Sequence, residues 1–161
     1  PRSTLFPYTT LFRSKLLNQI GNMRNTVAVK WDTGLKFEAD VNGHKIIMDA
    51  ALENGGNNSG PTPKPLMLAS LAGCTGMDVV SILNKMKVEI KSFQMHVEGE
   101  TTDEHPKYYK HMHVIYEFTG KNLPMDKIKK AVDLSEERYC GVGALYRKAI
   151  PVTSEIKLIE S

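Results

Sequence analysis

The chain reads as an α+β protein whose strands pair mostly antiparallel. Three observations predict this class. Short alternating segments bounded by turn residues occur in the first third, the middle and the last stretch of the sequence. One long, almost wholly apolar helical run occupies residues 66–83. The predicted order, β-β-β-α-β-β-α-α-β, leaves little room for parallel crossovers.

Taken in order, Val27–Asp32 and Leu35–Asp40 alternate apolar and polar residues around Asp32-Thr33-Gly34, a hairpin pattern. The Asn42-Gly43 turn leads into a third short strand, Lys45–Met48. Asn54-Gly55-Gly56-Asn57-Asn58-Ser59-Gly60 predicts a flexible loop without packing side chains. Pro61, Pro63 and Pro65 stiffen the entry to the long helix, which should run to about Lys85, and a proline costs nothing in a first helical turn. The first half of that helix is apolar on every face, which predicts burial all round. A chain this short has too little mass to surround it, so a second copy is the expected cover. Ala69, Ala72, Gly73 and Gly76 permit close backbone approach. Phe93-Gln94-Met95-His96-Val97 and Met112–Phe118 alternate as a second hairpin. Pro124 opens a helix with Ile128, Ala131, Val132 and Ser135 on one side, which breaks at Cys140-Gly141. A short helix then continues to about Ala149, and Pro151 forces the last strand, Val152–Ile159.

Residues 1–22 are set aside. Thr4–Ser14 resembles the conceptual translation of a sequencing adapter, and Met23 is the natural start of a single domain spanning 23–161. Arg2, Arg13 and Lys15 account for the whole net charge of +3, because this segment holds no acid. The remainder is formally neutral, which argues against nucleic acid or an anionic membrane as partner. Asp78 and several small polar residues interrupt the most apolar stretch, so no bilayer-spanning segment is expected. Two cysteines and no convincing leader predict a cytoplasmic protein without a disulfide framework.

Those two cysteines are the chemically informative residues. Cys74 lies in Leu71-Ala72-Gly73-Cys74-Thr75-Gly76-Met77-Asp78, inside the long helix. Cys140 lies in Glu136-Glu137-Arg138-Tyr139-Cys140-Gly141, where one helix ends and the next begins. A buried thiol at a close helix crossing and a second at a helix start suit a dithiol redox site. Two small core hydrophobes fit the same pattern, and on the residues alone both readings stand.

Pro63 followed by Leu66–Cys74, with Met77-Asp78-Val79-Val80-Ser81-Ile82-Leu83 after it, resembles the first cysteine motif of OsmC/Ohr proteins. Glu137-Arg138-Tyr139-Cys140, with Arg147-Lys148-Ala149 downstream, resembles the second. The similarity runs from about Val27 to the C-terminus and points to the YhfA-like branch of OsmC proteins. This resemblance implies an intertwined homodimer in which antiparallel sheets wrap around long central helices. It also implies reduction of small organic hydroperoxides, with Cys74 as the peroxidatic residue, Cys140 as the resolving one, a dithiol as reductant and no cofactor. The alternative is a non-catalytic dimer that binds an apolar ligand in the interface cleft.

The resemblance has a gap. Active members carry an arginine from the N-terminal hairpin, held by a glutamate just after the proline ahead of the cysteine helix. Here Lys64 and Pro65 follow Pro63, and the hairpin segment 30–36 contains no arginine. Lys36, Lys64, Arg138 and Arg147 are the candidate replacement cations. Asp78, one helical turn after Cys74, would oppose a thiolate. Glu136 and Glu137 are expected to face solvent. His111 and His113 share a strand face with His96 opposite, but without a nearby carboxylate no metal site is expected. Neither is one expected at the cysteines, because the helix around Cys74 offers no ligand at metal spacing.

Overall fold

Alternation in the first third of the chain produces a three-stranded antiparallel sheet: β1 (Ala28–Thr33), β2 (Lys36–Val41) and β3 (His44–Met48), in the order β1-β2-β3. The computed structural model describes residues 25–161, so the expectation for residues 1–22 lies outside the described residues. The first turn falls at Gly34-Leu35, slightly later than the sequence pattern suggests. An irregularity after Trp31 extends β1 to Thr33, and Gly34 takes a positive φ of 55° that a side chain would resist. Register places Val29, Trp31, Phe37, Ile46 and Met48 on one face. That apolar face is largely open in a single chain, with Trp31 60% exposed.

The segment after β3 is not a loose linker. A 3-10 turn, Leu52–Asn54, leads into a loop folded around the Asp49 carboxylate. Asp49 is only 2% exposed and accepts from Ala50 N, Asn57 N, Ser59 N and Ser59 Oγ at 2.8–3.1 Å. A Cβ on Gly60 would lie 2.4 Å from the Ile47 carbonyl oxygen, and one on Gly56 2.1 Å from that of Ala50. These glycines are needed for close backbone approach. The expectation of a loose loop is corrected at Asn57 and Ser59, whose groups are tied to one buried carboxylate.

The long helix α1 runs from Pro63 to Lys85, as the proline entry and apolar run predict. By length and composition alone it could cross a bilayer, which corrects the sequence expectation. Asp78 and the small polar residues are too sparse to break its apolar window. In the fold it is instead a core helix on one side. Leu71, Thr75, Val79 and Leu83, four residues apart, are buried, whereas Met77 on the opposite face is 72% exposed. Burial all round is therefore not achieved within one chain.

The second sheet contains β4 (Ser92–Thr101), β5 (Tyr109–Gly120) and β6 (Val152–Glu160). β4 and β5 form the expected hairpin, while β6 joins β5 in parallel. The crossover that makes this pairing possible consists of α2 (Met125–Leu134), a π-helical turn (Ser135–Tyr139) and α3 (Gly141–Arg147). Met112, Val114, Tyr116 and Phe118 of β5 form the buried layer, covered by α1 and by Ile128, Ala131 and Val132 of α2. Phe93 stacks on Phe118 with ring centroids 4.4 Å apart. Gly76 lets α1 settle on this sheet, since a Cβ there would be 3.0 Å from the Met95 sulfur.

Candidate functional site

The π-helical turn builds one half of the site. Its extra residue closes a longer ring, with Cys140 N donating to the Ser135 carbonyl at 2.8 Å. Such single turns within helices often occur where function needs local departure from regular geometry. The turn leaves Ser135 fully buried and swings Cys140 out of the helix to cap α3. Gly143 N donates to the Cys140 sulfur at 3.2 Å, and Thr75 Oγ1, from α1, donates to it at 3.2 Å. The residue beside one cysteine thus holds the other.

The second half comes from α1. Cys74 and Asp78 are one turn apart, and the Cys74 sulfur, a carboxylate oxygen of Asp78 and the Cys140 sulfur all lie within 4.8 Å of one another. Both cysteines are free thiols, Cys140 buried and Cys74 half-buried. Ser135 Oγ donates to Asp78 Oδ2 at 3.2 Å and to the Thr75 carbonyl at 3.4 Å. Burial pushes the Cys74 thiol above its ordinary pKa, the Val142 N–H partly opposes this, and a hydrogen bond with Cys140 and the negative charge of Asp78 reinforce it. None of these leading influences is a cation.

The candidate cations fall in different places. Lys36 Nζ pairs with Asp32 at 3.0 Å on the first sheet. Lys64 lies ten residues before Cys74 on α1, about 15 Å along the axis, and lines a cavity of about 270 Å³ with Met67, Tyr109 and Tyr146. Arg138 is exposed on the π-helical turn. Arg147 alone among them folds back toward the thiols. Its Nη1 donates to the Glu136 carbonyl at 2.6 Å, and its Nη2 stands 3.7 Å from the Glu136 carboxylate. A Cβ on Gly143 would lie 3.1 Å from Arg147 Nη1 and 3.3 Å from the Cys140 sulfur, so that glycine keeps space between guanidinium and thiol.

Glu136 corrects the expectation of a solvent-facing residue. It is half-buried and accepts from the Tyr116 hydroxyl at 2.9 Å, while Glu137 is exposed as expected. Glu136 stands four residues after the buried Val132, at the border of the inner helical face. Tyr116 is correspondingly harder to ionise, first through burial and then through the adjacent carboxylate. Thr75, Ser135 and Tyr116 are site residues that the motif reading passed over. A signal was available for Ser135: a hydroxyl on the buried side of α2 needs a partner.

The metal expectations also need revision in their geometry. Asp78 is a potential ligand at i+4 from Cys74, which the sequence reading denied to this helix. On the second sheet, His111 Nε2 and His113 Nδ1 both bond Thr153 Oγ1, at 3.0 and 2.8 Å. Glu100 and Glu155 lie 3.9 and 4.0 Å from these rings, so carboxylates are nearby after all. His96 is opposite Ile115 and does not complete a histidine trio.

Asp78 also lines a cavity of about 340 Å³ whose other walls are Ser81, Ile82, Lys85, Met86, Leu134 and Tyr139. The arrangement can form a disulfide, hold a soft cation, or present an apolar pocket to a small ligand.

Comparison with known proteins follows the same lines. The family described as OsmC-like protein matches residues 56–155. The chain is similar to Protein YhfA of Escherichia coli (strain K12), at 33% identity over 132 residues, covering 81% of this chain and 96% of that protein. The OsmC like protein from Mycoplasma pneumoniae superposes with a TM-score of 0.74 at 15% identity, covering 86% of this chain and 99% of the other. The Organic Hydroperoxide Resistance Protein OhrB of Bacillus subtilis gives a TM-score of 0.58 at 18% identity, covering 84% and 98%. At such identities these two structures attest the fold alone.

Proposed function

Because the chain belongs to the OsmC-like family, we propose that it is a cytoplasmic, homodimeric thiol protein that reduces small organic hydroperoxides through Cys74 and Cys140. One observation carries this reading: two free sulfurs from separate helices lie within 4.8 Å of one another, and a disulfide requires that they close to about 2.05 Å.

In the proposed cycle the Cys74 thiolate attacks the terminal oxygen of the hydroperoxide. The O–O bond breaks, the alkoxide takes a proton and leaves as alcohol, and Cys74 becomes a sulfenic acid. Cys140 then attacks the Cys74 sulfur and water leaves, giving the disulfide. An external dithiol restores both thiols and is itself oxidised to a disulfide. The cavity beside Asp78 supplies an apolar wall for the alkyl group, where each Å² buried contributes about 25 cal/mol. Arg147, oriented by Glu136, is the cation nearest in role to the family's arginine, and it serves the Cys140 side of the pair.

Dimer formation is supported by two open apolar surfaces, the Trp31 face of the first sheet and the Met77 side of α1. Free thiols and the lack of a disulfide framework among the described residues suit a reducing compartment.

The raised Cys74 thiol favours a second reading, in which the protein binds an apolar ligand and turns over slowly or not at all. Steady-state reduction of cumene and tert-butyl hydroperoxide with a dithiol reductant separates the two. Turnover lost in Cys74→Ser supports the reductase. Turnover equal in the parent and the variant refutes it.

A further inference from the structure

The reduced thiol pair sits in a constellation that exceeds what disulfide formation needs. Two sulfurs require only each other, yet a carboxylate from the same helix lies within 4.8 Å of both. That carboxylate puts a third negative charge beside two sulfurs that must ionise to react. A cation shared by all three groups resolves that conflict.

We propose that the reduced protein binds one divalent cation of the zinc class through Cys74 Sγ, Cys140 Sγ and Asp78, leaving a fourth position open. Two thiolates and one carboxylate suit a borderline-soft ion with no demand for six oxygen ligands. Bonds of about 2.3 Å to sulfur in a tetrahedral site put the sulfurs about 3.8 Å apart, so contraction from the observed separation is about 1 Å or less. The surrounding hydrogen bonds already resemble those around metal ligands. Ser135 fixes Asp78 Oδ2, and Thr75 and Gly143 N donate to the Cys140 sulfur. Asp78 also lines the 340 Å³ cavity, so one of the three ligands borders open space.

Binding replaces both thiol protons, so two protons leave for each ion bound. A consequence rests on the hydroperoxide reading above. When a hydroperoxide takes two electrons from the pair, giving alcohol, water and a disulfide, the anionic sulfur ligands disappear and the ion is released. The ion and the peroxide would then compete for one reduced site.

The test is anaerobic titration of the reduced, full-length protein with Co²⁺ as a spectroscopic probe, followed by Zn²⁺. The expected result is one Co²⁺ per chain, with thiolate-to-cobalt charge transfer, ligand-field bands of tetrahedral strength, and displacement by Zn²⁺. Cys140→Ser should roughly halve the charge-transfer intensity. Asp78→Asn should weaken binding by about tenfold or more, since even outer hydrogen-bond partners of metal ligands contribute that much. The wild-type disulfide form, which needs no substitution, should bind no cobalt at this site. Absence of charge transfer in the reduced protein, or a spectrum unchanged in Cys140→Ser, overturns the site. Should cobalt bind as described while hydroperoxide leaves the metal-free thiols unoxidised, the metal site stands and the reductase reading falls. If hydroperoxide forms the disulfide but reduced protein ignores cobalt, the reverse holds.

Discussion

Thr75 donates its hydroxyl hydrogen to the sulfur of Cys140 at 3.2 Å, although the two residues are 65 apart in sequence. Thr75 follows Cys74 directly, so α1 carries both a thiol and the group that fixes its partner. Thr75→Val keeps the shape and removes the donor. It should destabilise the fold by about 1 kcal/mol, and Thr75→Ser should recover part of that. Urea denaturation of the three proteins measures it, and a Val variant as stable as the parent would remove energetic meaning from the contact.

Burial, Cys140 and Asp78 all keep the proton on Cys74. With chelator present, alkylation of Cys74 at neutral pH should therefore be slower than that of a free cysteine. The rate should climb only as pH passes beyond about 8.5, the ordinary thiol value. Because the folded protein holds this proton more tightly than the unfolded chain, stability also declines as pH rises through that region. Asp78→Asn removes one opposing charge and should accelerate alkylation near neutrality. Rapid labelling of the parent at pH 7 would contradict the argument.

Arg147 closes the π-helical turn by bonding the Glu136 carbonyl. Arg147→Ala leaves that carbonyl and the Tyr116–Glu136 pair without their cation. Disulfide formation after one equivalent of hydroperoxide should slow several-fold, and Arg147→Lys should rescue it incompletely, because a lysine lacks the planar fork. Stopped-flow measurement of thiol loss would show whether the turn controls the pair.

Asp49 is held below the usual carboxylate range, first by the Ser59 N–H and then by the Ser59 hydroxyl. Its contribution to stability is present above the unfolded value of about 3.9 and disappears as pH falls through the lower folded value. Asp49→Asn should lower the melting temperature at pH 7 and flatten the acid limb of the stability profile. Parallel pH profiles for parent and variant would count against this account.

The homodimer proposed above should be obligate and bury more than about 2,000 Å². Trp31→Glu places a charge on the edge strand of the first sheet's apolar face and should yield monomer or aggregate in sedimentation. A parent that sediments as a stable monomer at micromolar concentration would overturn the dimer.

How much of this could be read from residues depends on which physical signal each feature uses. The helix from Pro63 to Lys85 was legible because prolines mark its start and an apolar run marks its body. The β4–β5 hairpin was legible from strict alternation around Phe93-Met95-Val97 and Met112-Val114-Tyr116. The pairing of Cys74 with Cys140 followed from the motif resemblance, and the structure places the sulfurs together. The Asp49 cradle was hidden because its donors are mostly backbone N–H groups, which carry no residue signature. Glu136 was misplaced because a carboxylate is expected to seek solvent, although it stands four residues after the buried Val132 and its partner, the Tyr116 hydroxyl, lies on another element. The parallel pairing of β6 was equally invisible, since it depends on where the crossover returns the chain.

The π-helical turn makes the position of Cys140 a matter of whole numbers. Substitutions tilt or crowd a side chain by fractions of an ångström, but the location of this sulfur is set by how many residues separate Ser135 from Gly141. Removing one residue from the turn would carry Cys140 about 100° around the helix axis, away from Cys74 and out of reach of Thr75. Length in this segment is therefore constrained independently of composition: a single-codon deletion should disarm the pair more completely than most changes to its neighbours.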